Sequence, residues 1–311
     1  MIENSKPFEF SLNNIEIGVG AWSWGDRFFW NYGGSFSDAD IEGAFRSSTE
    51  KGINFFDTAE VYGQGRSELI LGRLIKTSAK PSLIATKYFP YPWRLTKNSL
   101  HTALKGSLKR LQMDCVSLYQ IHWPASLISL EILMNSLANE VKAGKTVAVG
   151  VSNFNRNRTQ RAYTALAKYN IPLASNQVEY HLLNRHIEKN GLLGRCHELG
   201  VRVIAYSPLA QGLLTGKYSP ENPPPGIRGR RYANLLKEIK PLIELMTEIG
   251  KGHGDKTPSQ VALNWLICKG ALPIPGAKNL AQVQQNNGSI GWRLTEAEVS
   301  SLDTASDGII K

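Results

Sequence analysis

The 311-residue sequence is 42% hydrophobic and 20% charged, an ordinary globular mixture with ample apolar material for a large core, which argues against disorder. Its formal net charge of +10 admits an anionic partner, either a polyanion or a phosphorylated small molecule, but most Lys and Arg are scattered among acidic neighbours and only Arg228, Arg230 and Arg231 cluster tightly. No run approaches the roughly 18 consecutive apolar residues that span a bilayer, and the opening MIENSKPFEF lacks the basic-then-apolar pattern of a signal peptide, so a reducing, cytoplasmic or stroma-like compartment is expected and a membrane is not.

Short β-branched and aromatic runs alternate with longer segments of helical period, the pattern of repeated βα units. Pro7–Leu12 is read as part of an N-terminal hairpin plugging the bottom of a barrel. Strands are expected at Ile15–Val19, Ile53–Phe56, Leu83–Thr86, Val116–Ile121, Val147–Val151, Ala174–Val178, Val201–Ala205 and Leu272–Ile274, with crossover helices such as Asp38–Lys51, Thr96–Leu111 and Leu127–Ala143 between them. Eight strands with helical returns favour a closed, parallel (β/α)8 TIM barrel, one domain over 1–311, rather than an open sheet. Ser219–Tyr232, SPENPPPGIRGRRY, is read as a long loop after strand seven because its prolines and glycines oppose a continuous helix or strand. Cys115, Cys196 and Cys268 stand far apart without a CxxC pair, which gives neither a disulfide framework nor a metal site, and they read as small buried hydrophobes.

In such barrels chemistry gathers where strands end at their C-terminal side. INFFDTAEVYG puts Asp57 at the end of strand two and Tyr62 just beyond it, SLIATKY ends strand three on Lys87, and SLYQIHW ends strand four on His122. A tyrosine with an unperturbed pKa of about 10 is a poor proton donor near neutrality unless a cation lowers it, and Lys87 is placed to do so. A buried lysine in turn needs a counter-ion, which Asp57 supplies, while His122 orients a carbonyl or relays the proton. Each residue alone has a plain structural reading, as a turn cap, surface packing, a snorkelling amine or a core histidine. Four titratable groups at the ends of three successive strands are harder to ascribe to chance.

The motifs FFDTAEVYGQGRSELILG, IATK, LYQIHWP, VGVSNF, NQVEYH, IAYSPLAQGLLTGKY and IPGAKNLAQVQQNN together make the chain resemble the aldo-keto reductase superfamily over nearly its whole length, closest in pattern to bacterial and plant reductases, pyridoxal-reducing members and channel-associated β subunits. The resemblance implies that Tyr62 is the general acid, that Lys87 and Asp57 tune it and that His122 positions the substrate carbonyl. It further implies that Ser152, Asn153 and Gln177 hold a nicotinamide carboxamide, that Tyr206 stacks on the nicotinamide, and that Ser207, Leu209, Gln211 and Lys217 wrap the pyrophosphate.

A Rossmann site at Gly18–Gly25 is rejected, since the third glycine of that fingerprint is missing and Trp22 and Trp24 are too bulky for a pyrophosphate; these glycines are read as space for cofactor or substrate beside the barrel mouth. NADPH is favoured over NADH because Lys278 is available to a 2′-phosphate and no acid lies between Pro273 and Ile290. Gln282 resembles a phosphate or ribose contact, and Gln285 and Asn286 adenine contacts, although many relatives carry Arg and Glu where Gln282 and Gln285 stand. Arg231 is read with its cluster as closing over the phosphates. Trp22 is placed beside the cofactor, and Trp24, Trp30, Tyr88 and Trp123 around the substrate, an aromatic wall suited to a planar or apolar aldehyde or ketone; for Phe28 to Trp30, core packing is an equal reading. The leading function is therefore NADPH-dependent carbonyl reduction with a small-molecule substrate. A regulatory subunit that binds the cofactor and works by docking to another protein is the alternative, nucleic-acid binding has no recognisable module behind it, and both a monomer and a homo-oligomer remain open.

Overall fold

The structure, a computed structural model, describes residues 11–224 and 227–309. Its eight strands are β1 Val19–Gly20, β2 Phe55–Asp57, β3 Leu83–Tyr88, β4 Val116–Ile121, β5 Thr146–Ser152, β6 Leu173–Glu179, β7 Arg202–Tyr206 and β8 Leu272–Pro273, hydrogen-bonded in chain order and parallel throughout. Helices α1 Asp38–Glu50, α2 Arg66–Thr77, α3 Ser99–Leu111, α4 Leu130–Lys142 and α5 Arg156–Ala167 return the chain after β1 to β5. The remaining helices are α6 His186–Lys189, α7 Leu192–Glu198, α8 Ile227–Glu238, α9 Lys240–Gly252, α10 Pro258–Cys268, α11 Leu280–Asn287 and α12 Glu296–Asp307.

The barrel closes between β1 and the chain after β8, where Gly18 and Gly20 donate their amides to the carbonyls of Pro273 and Pro275, both at 3.0 Å. A Cβ on Gly18 would lie 2.6 Å from the Phe55 ring, and one on Gly20 2.8 Å from the Ile274 carbonyl oxygen. These two glycines therefore serve closure of the barrel, not space at its mouth.

Strand alternation sorts the side chains into two layers. Leu12, Ile15, Phe55, Ala85, Leu118, Ile204, Leu272 and Ile274 fill the barrel, while Phe56, Ile84, Tyr88, Tyr119, Ile121 and Val149 belong to the larger core under the helices. Most expected strands are displaced by a residue or two. The first is shorter than Ile15–Val19: Ile15 and Ile17 are buried, but only Val19–Gly20 finds partners in register.

Two expectations change. Of the N-terminal hairpin, residues 7–10 lie outside the described residues; Leu12–Asn14 is a 3-10 turn capped by Ser11, and it places Leu12 and Ile15 in the barrel floor. The stretch 219–232 is not loop throughout, because α8 starts at Ile227, immediately after the prolines, and so carries the basic cluster. Prolines ahead of a helix do not interrupt its hydrogen bonds, which is why their presence allows this start. The side chains of Ile227, Arg228 and Arg231 lie outside the described residues, as do residues 225–226.

Candidate active site

Parallel register brings the strand ends to one rim. Asp57 pairs with Ala85, so Lys87 stands one inward-facing step higher on β3, and Lys87 pairs with Gln120 on β4. His122 extends the ladder, donating its amide to the Tyr88 carbonyl at 2.9 Å. Tyr62 arrives by another route. Gly63, Gln64 and Gly65 after it all have positive φ, which turns the chain back sharply, and at Gly63 a Cβ would lie 2.7 Å from the Gly25 carbonyl oxygen.

Lys87 is fully buried and donates to Asp57, to the Thr58 carbonyl at 2.9 Å and to the Tyr62 hydroxyl oxygen at 3.3 Å, with its ammonium 4.9 Å from the Tyr62 ring centre. Burial works against the charged amine, but the Asp57 carboxylate and the Tyr62 oxygen outweigh it, and the Lys87 pKa is raised. Burial also raises the Tyr62 pKa; Lys87 pulls it down without cancelling that effect. The cation thus moderates the phenol, and does not bring it below its ordinary value as the sequence reading expects.

His122 is held neutral, its pKa pushed down to about 2 by burial first and by the Lys87 charge second. Its ring meets those of Tyr62 and Phe89 edge to face, with centres 5.7 and 5.6 Å away, and its Nδ1 is buried without a partner.

Sequence reasoning missed Gln120. It is fully buried in the barrel and donates to the second oxygen of Asp57 at 3.4 Å, accepting in turn from Ser175 at 3.1 Å. The signal available was a lone amide inside an apolar strand run, since a buried amide demands partners.

The residues assigned to the carboxamide assemble at the ends of β5, β6 and β7, but they bond one another here. Gln177 donates to Asp57, Ser152 donates to the Gln177 carbonyl at 2.8 Å, and Asn153, with φ of 61°, donates to the His122 carbonyl at 3.2 Å while accepting from Tyr206 at 3.1 Å. Burial raises the Tyr206 pKa to about 12.

After β7, Ser207, Ala210, Gln211 and Gly212 all adopt positive φ. Successive left-handed residues turn backbone amides into a concavity suited to an anion. Lys217, exposed beyond it, lies over the Tyr218 ring, and Gln211 accepts from Tyr232. Lys278 precedes the N-terminus of α11, whose first turn holds no acid, and Gln282 accepts from the Lys278 amide at 2.7 Å. A helix N-terminus beside a lysine and a left-handed amide turn fits a phosphorylated dinucleotide. Farther along, Asn286 is buried and donates to the Gly276 carbonyl, whereas Gln285 is exposed and accepts from Thr257.

The aromatic assignments divide. Trp24 is core: it is fully buried, and its indole N–H donates to the Ala277 carbonyl at 2.8 Å. Tyr88 is likewise fully buried and points outward from the barrel, because it alternates with Lys87. Trp22 stacks on Phe29, and its ring stands 6.1 Å from that of Tyr62, beside the phenol. Trp30 abuts Trp22 with the Lys278 ammonium 4.4 Å from its ring centre, Trp123 is 42% exposed and Phe28 is fully exposed. Among the described residues no helix is long and apolar enough to cross a membrane, and no group of three or more His, Cys, Asp or Glu is assembled for a metal.

The model of the aldo/keto reductase family matches residues 16–307. A pyridoxal reductase, chloroplastic, of Arabidopsis thaliana is 41% identical over 307 residues, covering 94% of this chain and 84% of its own. The aldo-keto reductase yakc of Schizosaccharomyces pombe, whose name specifies NADP(+), is 33% identical with 89% and 85% covered. Among solved structures, an aldo/keto reductase from Klebsiella pneumoniae in complex with NADP and acetate superposes with a TM-score of 0.74 at 29% identity, covering 93% of this chain and 90% of its own.

Proposed function

The chain belongs to the aldo/keto reductase family of oxidoreductases, and from that premise we propose that it reduces an aldehyde to an alcohol with NADPH, Tyr62 giving the proton. The observation that carries this reading is the buried sequence of contacts Asp57 to Lys87 to Tyr62, which ends at a partly open phenol in a mouth walled by aromatic rings.

A bound reduced nicotinamide supplies the hydride. Tyr62 must hold its proton until charge develops on the substrate oxygen, and a pKa above the ordinary value keeps the phenol protonated at neutral pH. An alkoxide is a far stronger base than a phenolate, so the transfer runs downhill once the oxygen becomes negative. The Lys87 ammonium then faces the phenolate left behind. Neutral His122, its ring beside that of Tyr62, offers Nε2 as a hydrogen-bond donor that orients the carbonyl without competing as an acid. Ser152, Asn153, Gln177 and Tyr206 would hold the nicotinamide, the turn after Ser207 the pyrophosphate, and Lys278 the 2′-phosphate.

For the substrate we propose a planar aromatic aldehyde of pyridoxal's kind. The name of the Arabidopsis relative and the Trp22, Phe29 and Trp123 surfaces at the mouth both favour it. NADPH oxidation is to be followed with pyridoxal and a panel of aromatic and short aliphatic aldehydes, for the native chain and for Tyr62→Phe. Turnover of aromatic aldehydes, lost by roughly a hundredfold or more in Tyr62→Phe, is expected. No turnover of any panel member, or an equally active Tyr62→Phe, would sink the reading.

A further inference from the structure

Between Lys87 and α3 runs the segment Tyr88-Phe89-Pro90-Tyr91-Pro92-Trp93-Arg94. Two prolines remove two amides from it, and its own backbone closes only two tight turns, the Tyr91 amide donating to the Phe89 carbonyl and the Arg94 amide to the Tyr91 carbonyl, each at 2.9 Å. What ties it to the rest of the rim is Glu60, two residues before Tyr62 in the neighbouring loop. Glu60 accepts the Phe89 amide at 2.7 Å and takes Arg94 as a two-pronged partner, Nη1 at 2.5 Å and Nη2 at 2.8 Å. Arg94 closes the ring by donating to the Phe89 carbonyl at 2.8 Å. Both side chains are largely sequestered, with 8% of Glu60 and 19% of Arg94 exposed.

The guanidinium also lies 4.8 Å from the Tyr88 ring centre and 5.1 Å from that of Tyr91. Tyr91 packs on Phe89 and stacks on Trp93 at 4.5 Å, while Phe89 meets His122 edge to face. One ion pair therefore ties the loop that carries Tyr62 to the loop that carries an aromatic face next to His122. A planar, bidentate pair fixes orientation as well as distance, which a point charge would not.

We propose that Glu60 and Arg94 are positioning residues that determine specificity: their clamp holds the Phe89–Trp93 segment as a wall against which large aromatic aldehydes are packed, while short aldehydes engage Tyr62 and His122 without it. This rests on the carbonyl-reductase reading above. Neither residue touches the reacting atoms, so their loss acts through the wall.

The test combines kinetics with hydrogen exchange on the full chain. In Glu60→Gln and Arg94→Met the Phe89 amide and its segment should exchange faster than in the native chain. KM for a bulky aromatic aldehyde should rise roughly tenfold, with that for propanal within about twofold and its kcat retained. Arg94→Lys, which keeps the charge but not the fork, should fall between native and Arg94→Met. Unchanged exchange in both variants overturns the clamp; faster exchange with equal effects on bulky and short aldehydes overturns its role in specificity. If the native chain reduces no aldehyde while exchange still responds, it is the reductase reading that fails, and the specificity assignment with it.

Discussion

Gln177 on β6 donates its side-chain amide to Asp57 on β2, 120 residues earlier, at 2.8 Å across the top of the barrel. Asp57 thereby receives Lys87 on one oxygen and two amides, from Gln120 and Gln177, on the other. Removing its charge leaves Lys87 buried and uncompensated. Asp57→Asn should lower stability by about 3–5 kcal/mol, the usual result of breaking one side of a buried pair, and kcat/KM by roughly a hundredfold or more; thermal unfolding and steady-state kinetics measure both. Gln177→Leu should lower the unfolding temperature even without cofactor, by the equivalent of about 1 kcal/mol. Loss of cofactor affinity with unchanged stability would contradict that bond.

Because the His122 pKa lies near 2 in the fold and near 6.5 when unfolded, the unfolded chain binds the extra proton first. The contribution of His122 to stability is complete above the unfolded value and declines as pH falls below it, by about 1.4 kcal/mol per pH unit. Denaturant unfolding at pH 7.5 and pH 5 should show this loss, and His122→Asn should show less of it. An equal pH dependence in the two proteins would mean the ring is protonated in the fold.

Lys278→Met should weaken NADPH binding by tenfold or more, on the order of one charged phosphate contact, and leave NADH nearly unchanged, as measured by fluorescence titration. Equal weakening of both would remove Lys278 from the 2′-phosphate. The same substitution should alter the emission of Trp30, over whose ring the ammonium sits.

A purely mechanical prediction concerns Gly72. A Cβ there would lie 2.6 Å from the carbonyl oxygens of both Arg110 and Leu111, at the crossing of α2 and α3. Gly72→Ala should destabilise the protein by about 1–3 kcal/mol through overpacking. Its effect on KM should be small, because the crossing lies outside the barrel. Unchanged stability would show that the helices separate freely.

That Asp57, Tyr62, Lys87 and His122 meet at one rim was legible because each ends or follows an apolar strand run, and strand parity alone puts Asp57 and Lys87 inside the barrel. The same parity puts Tyr88 outside, a deduction available from SLIATKY that pocket reasoning by residue type passed over. Trp24 was misplaced for a similar reason: an aromatic near a mouth reads alike whether its indole N–H finds water or, as here, the Ala277 carbonyl. Gln120 and the Glu60–Arg94 pair were invisible for another reason. Their partners are remote in sequence, 34 residues apart for the pair, and only folding shows which amide or fork they meet. The start of α8 was hidden by composition, since prolines ahead of a helix and prolines inside one give the same residue count.

The seam at Gly18 and Gly20 sets an order on synthesis. Their partners, Pro273 and Pro275, leave the ribosome some 250 residues later. Throughout that interval β1 has its β2 neighbour but no other, and each new strand in turn presents an open edge to the crowded cell. Substitutions that weaken the seam should therefore appear as poor yield and aggregation during expression well before they appear as lost activity in the molecules that do close.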